Sequence, residues 1–326
     1  MARQSGRLTA VGLGIETTSG TAATAGYWVP DMTFSHEDKN TTITDESSFG
    51  RLEGAVDSDV VQQWSEGSLG AVLRTDHIGA LLKSLFGTAT SVARSAPNAA
   101  VYDTTFTVNN VNTHPSLTLY AKDPNQDIRF TYGMVDKFSI DYQMGKLIEY
   151  SVDFKAKKGV TTTATATYIA NETKFRPQDV SFKLATNVAG LPGAAITPVK
   201  SLKLTITKGT DVEYVLGSVD VDSIYNTHFN VEVEVGLLYN DLTYKNYDFN
   251  NTKQAASITL TRTDTTIGST ANPGLAFTFD SMFFDGWTKN RAQNEMMSQT
   301  ITMKGLYSFP NTSMAKAVVT NTVASY

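Results

Sequence analysis

Between Asp136 and Lys157 the chain alternates apolar and polar residues through two short runs. Phe138, Ile140, Tyr142 and Met144 fall on one side of the first run, and Ile148, Tyr150, Val152 and Phe154 on one side of the second, with Gly145-Lys146 between them. A period of two around a Gly-containing turn predicts a β-hairpin with one buried face and one wet face. Ser139, Asp141, Gln143, Glu149, Ser151 and Asp153 form the wet face. The pattern returns without a gap between Asp285 and Leu306, at a constant offset of 149 residues. Phe138 then corresponds to Trp287, Leu147 to Met296, Val152 to Ile301 and Phe154 to Met303. Wet positions of the second copy are Thr288, Asn290, Ala292, Ser298, Thr300 and Thr302. The chain is expected to be organised around this hairpin, used twice.

Flanking elements recur in the same order. Trp28-Val29-Pro30 opens a strand running through Met32 and Phe34, and Phe175-Arg176-Pro177 with Phe182 echoes it. A strand over 62–74 in the first half is matched by the strictly alternating FNVEVEV of 229–235 in the second. A helix is predicted over 77–86, with Asp76 as N-cap, Ile78, Leu81, Leu82 and Leu85 at helical spacing, and Gly87 as C-cap. Residues 240–251 stand in its place in the second half. The economical reading is two copies of a β-rich unit, 28–159 and 175–308, joined by a Thr/Ala-rich linker, 160–174. A Gly/Thr/Ala-rich arm with weak structure of its own, 1–27, precedes them, and a polar tail, 309–326, follows. Residues 36–58 are polar and Gly-punctuated, which predicts a long loop or an extended hairpin arm.

With 326 residues, 41% hydrophobic and 18% charged, the chain can bury a sizeable core. A net charge of −5 argues against a basic surface that grips nucleic acid by its phosphates. The absence of cysteine excludes disulfides, thiolate metal sites and cysteine nucleophiles. No apolar run follows the basic residues of the N-terminus, and no window approaches the roughly 20 apolar residues of a membrane helix, so a soluble chain without membrane insertion is expected. Signals of catalysis are poor. His36, His77, His114 and His228 are scattered, and Gly12-Leu-Gly14 is followed by Thr17 where a dinucleotide fingerprint needs glycine. Asp220-Val-Asp222 lacks the later Gly and Glu of a calcium loop. Lys155, Lys157 and Lys158 form a small basic cluster without interleaved aromatics. No enzyme activity, cofactor or metal is expected. What remains is strand edges, a small-residue arm and a long polar loop, which suit head-to-tail assembly.

Gly14-Ile-Glu16-Thr-Thr-Ser-Gly20-Thr21-Ala22, followed by Trp28-Val-Pro30, is similar to the G-x-E-x-x-x-G-T-A…P opening of the tail tube proteins of long-tailed (siphovirus) bacteriophages. The acidic loop 44–53, and the Glu66-Gly67 strand leading into a helix that ends Leu82-x-x-Leu85-Phe86-Gly87, also resemble that family. These short motifs cover the first 90 residues in order. The resemblance implies a mainly β chain of two tandem tail-tube-type β-sandwich or barrel domains, each with a flanking helix or helix-like segment. It implies a structural virion protein whose sheets join around a ring, whose rings stack by a long loop and a terminal arm, and through whose channel double-stranded DNA passes on ejection. Implied partners are the chain itself, a tape-measure protein, and the tail tip and tail terminator proteins. Its implied location is the virion tail, after assembly in the host cytoplasm. Many tube proteins have one unit per chain and form hexameric rings, so two units imply a ring of three chains with pseudo-sixfold symmetry, a hexamer being the alternative.

If the hairpin lines the channel, Asp141, Glu149 and Asp153 face the lumen, joined by Glu232 and Glu234 from the strand 229–235. An acidic wall keeps DNA hydrated and mobile where a basic one would hold it at many phosphates. Asp45, Glu46, Arg51 and Glu53 mark the candidate assembly loop. The competing reading is an unassembled β-sandwich, a receptor-binding or decorating protein of a virion. Such a protein wants exposed aromatics around a cleft, whereas Trp28, Trp64 and Trp287 are dispersed through strand patterns.

Overall fold

Both hairpins grow from the two longest strands of the chain, each of 17 residues. The computed structural model describes residues 5–30, 32–170, 172–291 and 293–326; Ala292, one of the expected wet positions, lies outside them. The first half carries β1 (Ala10–Ile15), β2 (Tyr27–Val29), β3 (Thr33–Asp45), β4 (Asp57–Val72), α1 (Ile78–Phe86), β5 (Thr90–Ala93), β6 (Tyr102–Thr107), β7 (Leu117–Lys122), β8 (Asp127–Gln143), β9 (Glu149–Ala156) and β10 (Val160–Thr162). The second carries β11 (Val180–Ala185), β12 (Ser201–Thr207), β13 (Thr210–Glu213), β14 (Ser223–Asn226), β15 (Asn230–Leu238), α2 (Thr243–Phe249), β16 (Gln254–Thr261), β17 (Gly274–Asn290), β18 (Ser298–Gly305) and β19 (Ala315–Asn321).

Spatial order repeats what sequence order suggests. In the first half β3, β4, β9 and the C-terminal part of β8 lie side by side, and in the second half β12, β15, β18 and the C-terminal part of β17 do the same. β8 pairs with β12, from Lys137 opposite Thr207 to Gln143 opposite Ser201, and so fuses the two sets into one antiparallel sheet of eight strands. The N-terminal parts of β8 and β17 leave that sheet for others. β8 joins β2-β1-β7 and β10, while β17 joins β11-β16 on one side and β19-β6-β5 on the other. Bulges fall at Asp136 in β8 and Asp285 in β17, at the same offset of 149. The sheet is open: a single chain closes no barrel, and its outermost strands are β3 and β17.

One hydrophobic cluster runs through both halves, taking in Phe138, Ile140, Val152, Phe284, Ile301 and Met303. Burying each such side chain contributes about 1.5–3 kcal/mol. Met144, grouped with the inward residues by the alternation, sits instead at the turn and is 72% exposed, because Gly145 at φ +84° ends the strand there. The predicted helix is α1, buried at every position but Lys83, and Gly87 closes it at φ +93°. Its N-terminus differs from expectation. His77, not Asp76, holds the cap position, and no side chain of the helix's own caps it. Glu172, from the segment joining the halves, accepts from the backbone N–H groups of Asp76 and His77 at 2.9 and 2.8 Å. A carboxylate arriving there meets two open donors and the positive end of the helix dipole. In the second half α2 packs Tyr244 and Tyr247 on Phe284 of β17.

The terminal segments are more structured than their composition indicates. The stretch expected as a free arm contains β1, paired with β2 and β7, with Leu13 fully buried. Its glycines, which read as loose, are there for close approach. A Cβ on Gly14 would lie 2.5 Å from the Thr24 carbonyl oxygen, and one on Gly12 would meet Ala25 and the Trp28 ring at about 3 Å. The expected polar tail contains β19, with Ala315, Ala317 and Val319 buried between β17 and β6. Its inward residues are small, so the alternation has little contrast. Of the two readings of 36–58, the hairpin arm is the one formed: β3 and β4 stay paired out to Asp45 and Asp57, leaving a loop of 46–56.

Candidate functional site

The eight-stranded sheet sends its apolar side chains to the core and a continuous polar surface to the other side. Asp141, Glu149, Glu232 and Glu234 are exposed on that surface and Asp153 is half-buried on it. Four of the five candidate acids are therefore exposed on one face. Asp141 and Glu149 are directly opposite one another in the hairpin, a like-charge pair that destabilises locally. The face also carries lysines that the hairpin reading left out. Lys203 lies between Asp141 and Glu234, Lys137 opposite Asp153, Lys155 opposite Glu66, and Lys304 opposite Glu232. The surface is thus acidic overall but of mixed sign. Burial raises the Asp153 carboxyl above its ordinary value, while Lys137 pulls it down and Asp136 adds to the rise. Glu66 is held below its ordinary value by its bond with Lys39. Hollows of about 400, 360 and 490 Å³ open along the same face.

The candidate loop sits at the far end of the β3–β4 hairpin. Asp45 accepts from the Ser47 N–H at 2.9 Å and hydroxyl at 2.5 Å, which turns the chain out of β3 and holds this carboxyl low. Glu46, Arg51 and Glu53 are exposed. Sequence reading chose these charges and missed the apolar residues among them, Phe49 (66% exposed) and the fully exposed Leu52. In a polar loop, an unexplained Phe and Leu were the available signal. The second half has β13 and β14 in the corresponding connection. That hairpin is folded back, so that Val221 and Ile224 cluster with Tyr132 and Met134, and with Trp64 at the margin. Leu216 at its tip is fully exposed. At the opposite end of the sheet, the tips of the two repeated hairpins expose Met144, Leu147, Met296 and Met297. The molecule therefore bears apolar tips at both ends of its strands and open strand edges at both sides.

One buried carboxylate ties the N-terminal strands together. Glu16 of the opening motif is buried and accepts from Ser116 Oγ (2.6 Å), Thr118 Oγ1 (2.8 Å), Tyr132 N (2.9 Å) and Gly20 N (2.7 Å). It fastens β1 to β7 and β8 and holds Tyr132 at φ +57°, a conformation that costs of order 1–3 kcal/mol and needs such a partner. Trp28 is a core residue, Trp64 lies beside the folded-back hairpin, and Trp287 is half-buried near the β17 edge, so the three tryptophans share no cleft. Among the described residues no group of three His, Asp or Glu could hold a metal ion, and no helix is long and apolar enough to cross a membrane.

No curated protein matches the sequence. A family model described as phage tail tube protein matches residues 6–305, nearly the whole length, and the chain belongs to that family.

Proposed function

We propose that this chain is the structural subunit of a siphovirus tail tube, and that three copies close into a ring of pseudo-sixfold symmetry. The family makes it a structural component of the virion tail that assembles with copies of itself into a tube. One observation carries the finer reading. Two four-stranded sets, alike in order and pairing, are already joined edge to edge through β8 and β12. The joined sheet still ends in one edge of each kind, β17 and β3. Heterologous edges of this sort generate closed rings when the rotation per unit is right, and closure removes them from solvent. Six units from three chains make such a ring. The tandem units are those read from the sequence, 28–159 and 175–308, with β1 and β19 added from the segments outside them.

In this arrangement the polar face lines the channel. Asp141, Glu149, Asp153, Glu232 and Glu234 set the sign of a wall past which double-stranded DNA travels, and the interspersed lysines keep the field moderate. Asp45, Glu46, Arg51 and Glu53 belong to the loop that reaches the next ring, with Phe49 and Leu52 as its apolar contacts. Those contacts are met by the Met144, Leu147 and Met296 tips of the neighbouring ring. A tape-measure protein in the lumen, tip and terminator proteins at the two ends, and assembly in the host cytoplasm complete the picture. No enzymatic role is proposed. Electron microscopy of the purified protein tests the reading: hollow tubes with three 35 kDa chains per ring are expected, and six such chains per ring, or protein that never polymerises, would overturn it.

A further inference from the structure

We propose that the seam between neighbouring chains pairs β17 with β3 antiparallel in one fixed register, Thr288 opposite Glu37 and Asn290 opposite Ser35. This rests on the ring reading above, and it follows from the seam inside the chain. Two ladders of paired residues define the equivalence. In the first half Lys155 faces Glu66, and Glu66 faces Glu37. In the second half Lys304 faces Glu232, and Glu232 faces Thr205. Lys155 and Lys304 are related by the offset of 149, so Glu37 of β3 occupies the place of Thr205 of β12. Inside the chain Thr205 faces Ser139 of β8. The counterpart of Ser139 on β17 is Thr288, fixed by the matching bulges at Asp136 and Asp285. The same steps carry Lys203, which faces Asp141, to Ser35 facing Asn290.

Three features of the edges fit this seam. Side-chain parity agrees, since Phe34 and His36 of β3 and Trp287 of β17 all turn to the core side, so a one-residue slip would turn one strand inside out. The core-side residues of the internal seam are fully covered, Phe138 and Ile140 against Leu204 and Ile206, whereas Phe34 and Trp287 are only half-buried in the free chain. One pair of opposite charges fits as well: the register sets Lys289 of β17 diagonal to Asp38 of β3, on the side of Trp287 and Phe34. Charged residues on an edge also discourage promiscuous pairing while the subunit is free.

The chain has no cysteine, so paired substitutions report directly. Tubes assembled from Glu37→Cys/Thr288→Cys, or from Ser35→Cys/Asn290→Cys, and then oxidised are expected to give a ladder of linked chains on denaturing gels that stops at three. Directly opposite strand residues lie within the Cα separation a disulfide tolerates, about 4.4–6.8 Å. The crossed variants, Glu37→Cys/Asn290→Cys and Ser35→Cys/Thr288→Cys, are one diagonal step apart and are expected to link several-fold less. All four positions are exposed or half-exposed, so folding is unaffected. Crossed pairs that link better than matched ones, in tubes of normal appearance, would overturn the register and leave the ring standing. Failure of the unsubstituted protein to form tubes would instead overturn the ring. A second readout needs no substitution. Amide hydrogen exchange in 33–39 and 286–290 is expected to slow on assembly of the unsubstituted protein, and unchanged exchange there in formed tubes would rule out this seam.

Discussion

Glu172 Oε1 lies 2.8 Å from His77 Nδ1, with both side chains almost wholly buried. The same oxygen takes the Asp76 and His77 N–H groups, so one carboxylate from the segment between the halves fixes the start of α1. Burial alone would raise the Glu172 carboxyl, but His77 and the two backbone donors outweigh it and hold the group below its ordinary value. A depressed carboxylate stabilises the fold above its unfolded pKa, and the contribution is lost as pH falls through the lower native value. Glu172→Ala is expected to cost about 3 kcal/mol at neutral pH, the scale of a broken buried pair. The deficit relative to the parent should shrink below about pH 4. Urea unfolding of both proteins at pH 7 and pH 3.5 measures it.

Lys208 gives the opposite pH dependence. Its Nζ is buried and donates to the Ser84 carbonyl oxygen of α1 at 3.0 Å, and burial lowers its pKa to about 7 in spite of nearby Asp136. A cation with a depressed native pKa destabilises the fold fully below that value, and the penalty fades as pH rises towards the unfolded value near 10.4. Lys208→Met is therefore expected to be more stable than the parent at pH 6. That advantage should fall by about 3 kcal/mol at pH 9, as read from paired denaturant midpoints.

Truncations separate the two parts of the N-terminal segment. Residues 5–8 are exposed, and a chain that begins at Thr9 is expected to fold. Removing 1–16 strips Val11, Leu13 and the Glu16 carboxylate from β7 and β8. Loss of a buried leucine alone costs about 3 kcal/mol, so this variant is expected to melt well below the parent by circular dichroism. An equal melting temperature would show that β1 is dispensable.

The channel wall is tested through Asp141 and Glu149, which are exposed and directly opposite one another. Particles carrying Asp141→Lys with Glu149→Lys are expected to eject DNA roughly tenfold more slowly, as a wall that attracts phosphates would. The neutral Asp141→Asn/Glu149→Gln particles should match the parent. Asp153 is left unchanged because a lysine there would face Lys137. Equal ejection rates for the lysine particles would remove these residues from the channel.

Strong alternation was legible in the sequence and weak alternation was not. The Phe138–Phe154 hairpin, its copy 149 residues on, and α1 stand out because large apolar residues contrast with polar ones at a fixed period. β19 escapes notice because alanine and valine fill its inward positions, and β1 because glycines, not polar residues, alternate with Val11 and Leu13. The five acids on the polar face follow from the same alternation, and Lys137, opposite Asp153 in the hairpin itself, was within its reach; Lys203 joins them only through the β8–β12 pairing, which no local pattern encodes. The buried Lys208 was unreadable for a related reason. Lys208-Gly209 reads as a turn, and only the tertiary fold brings Ser84 over it.

The pairing of β6 with β19 sets the order in which the molecule can be made. Thr104 lies opposite Val319, more than two hundred residues later in the chain. A nascent first half leaving the ribosome has one edge of its β5–β6 hairpin unpaired until β19 emerges. The halves are therefore not beads that fold one after the other. Completion waits for β19, and a chain that stops short of it keeps β6 with an open edge. Such fragments are marked for aggregation or proteolysis rather than for incorporation into a growing polymer. The interlock thus ties the two halves into one folding unit, since β6 of the first completes its pairing only with β19 of the second.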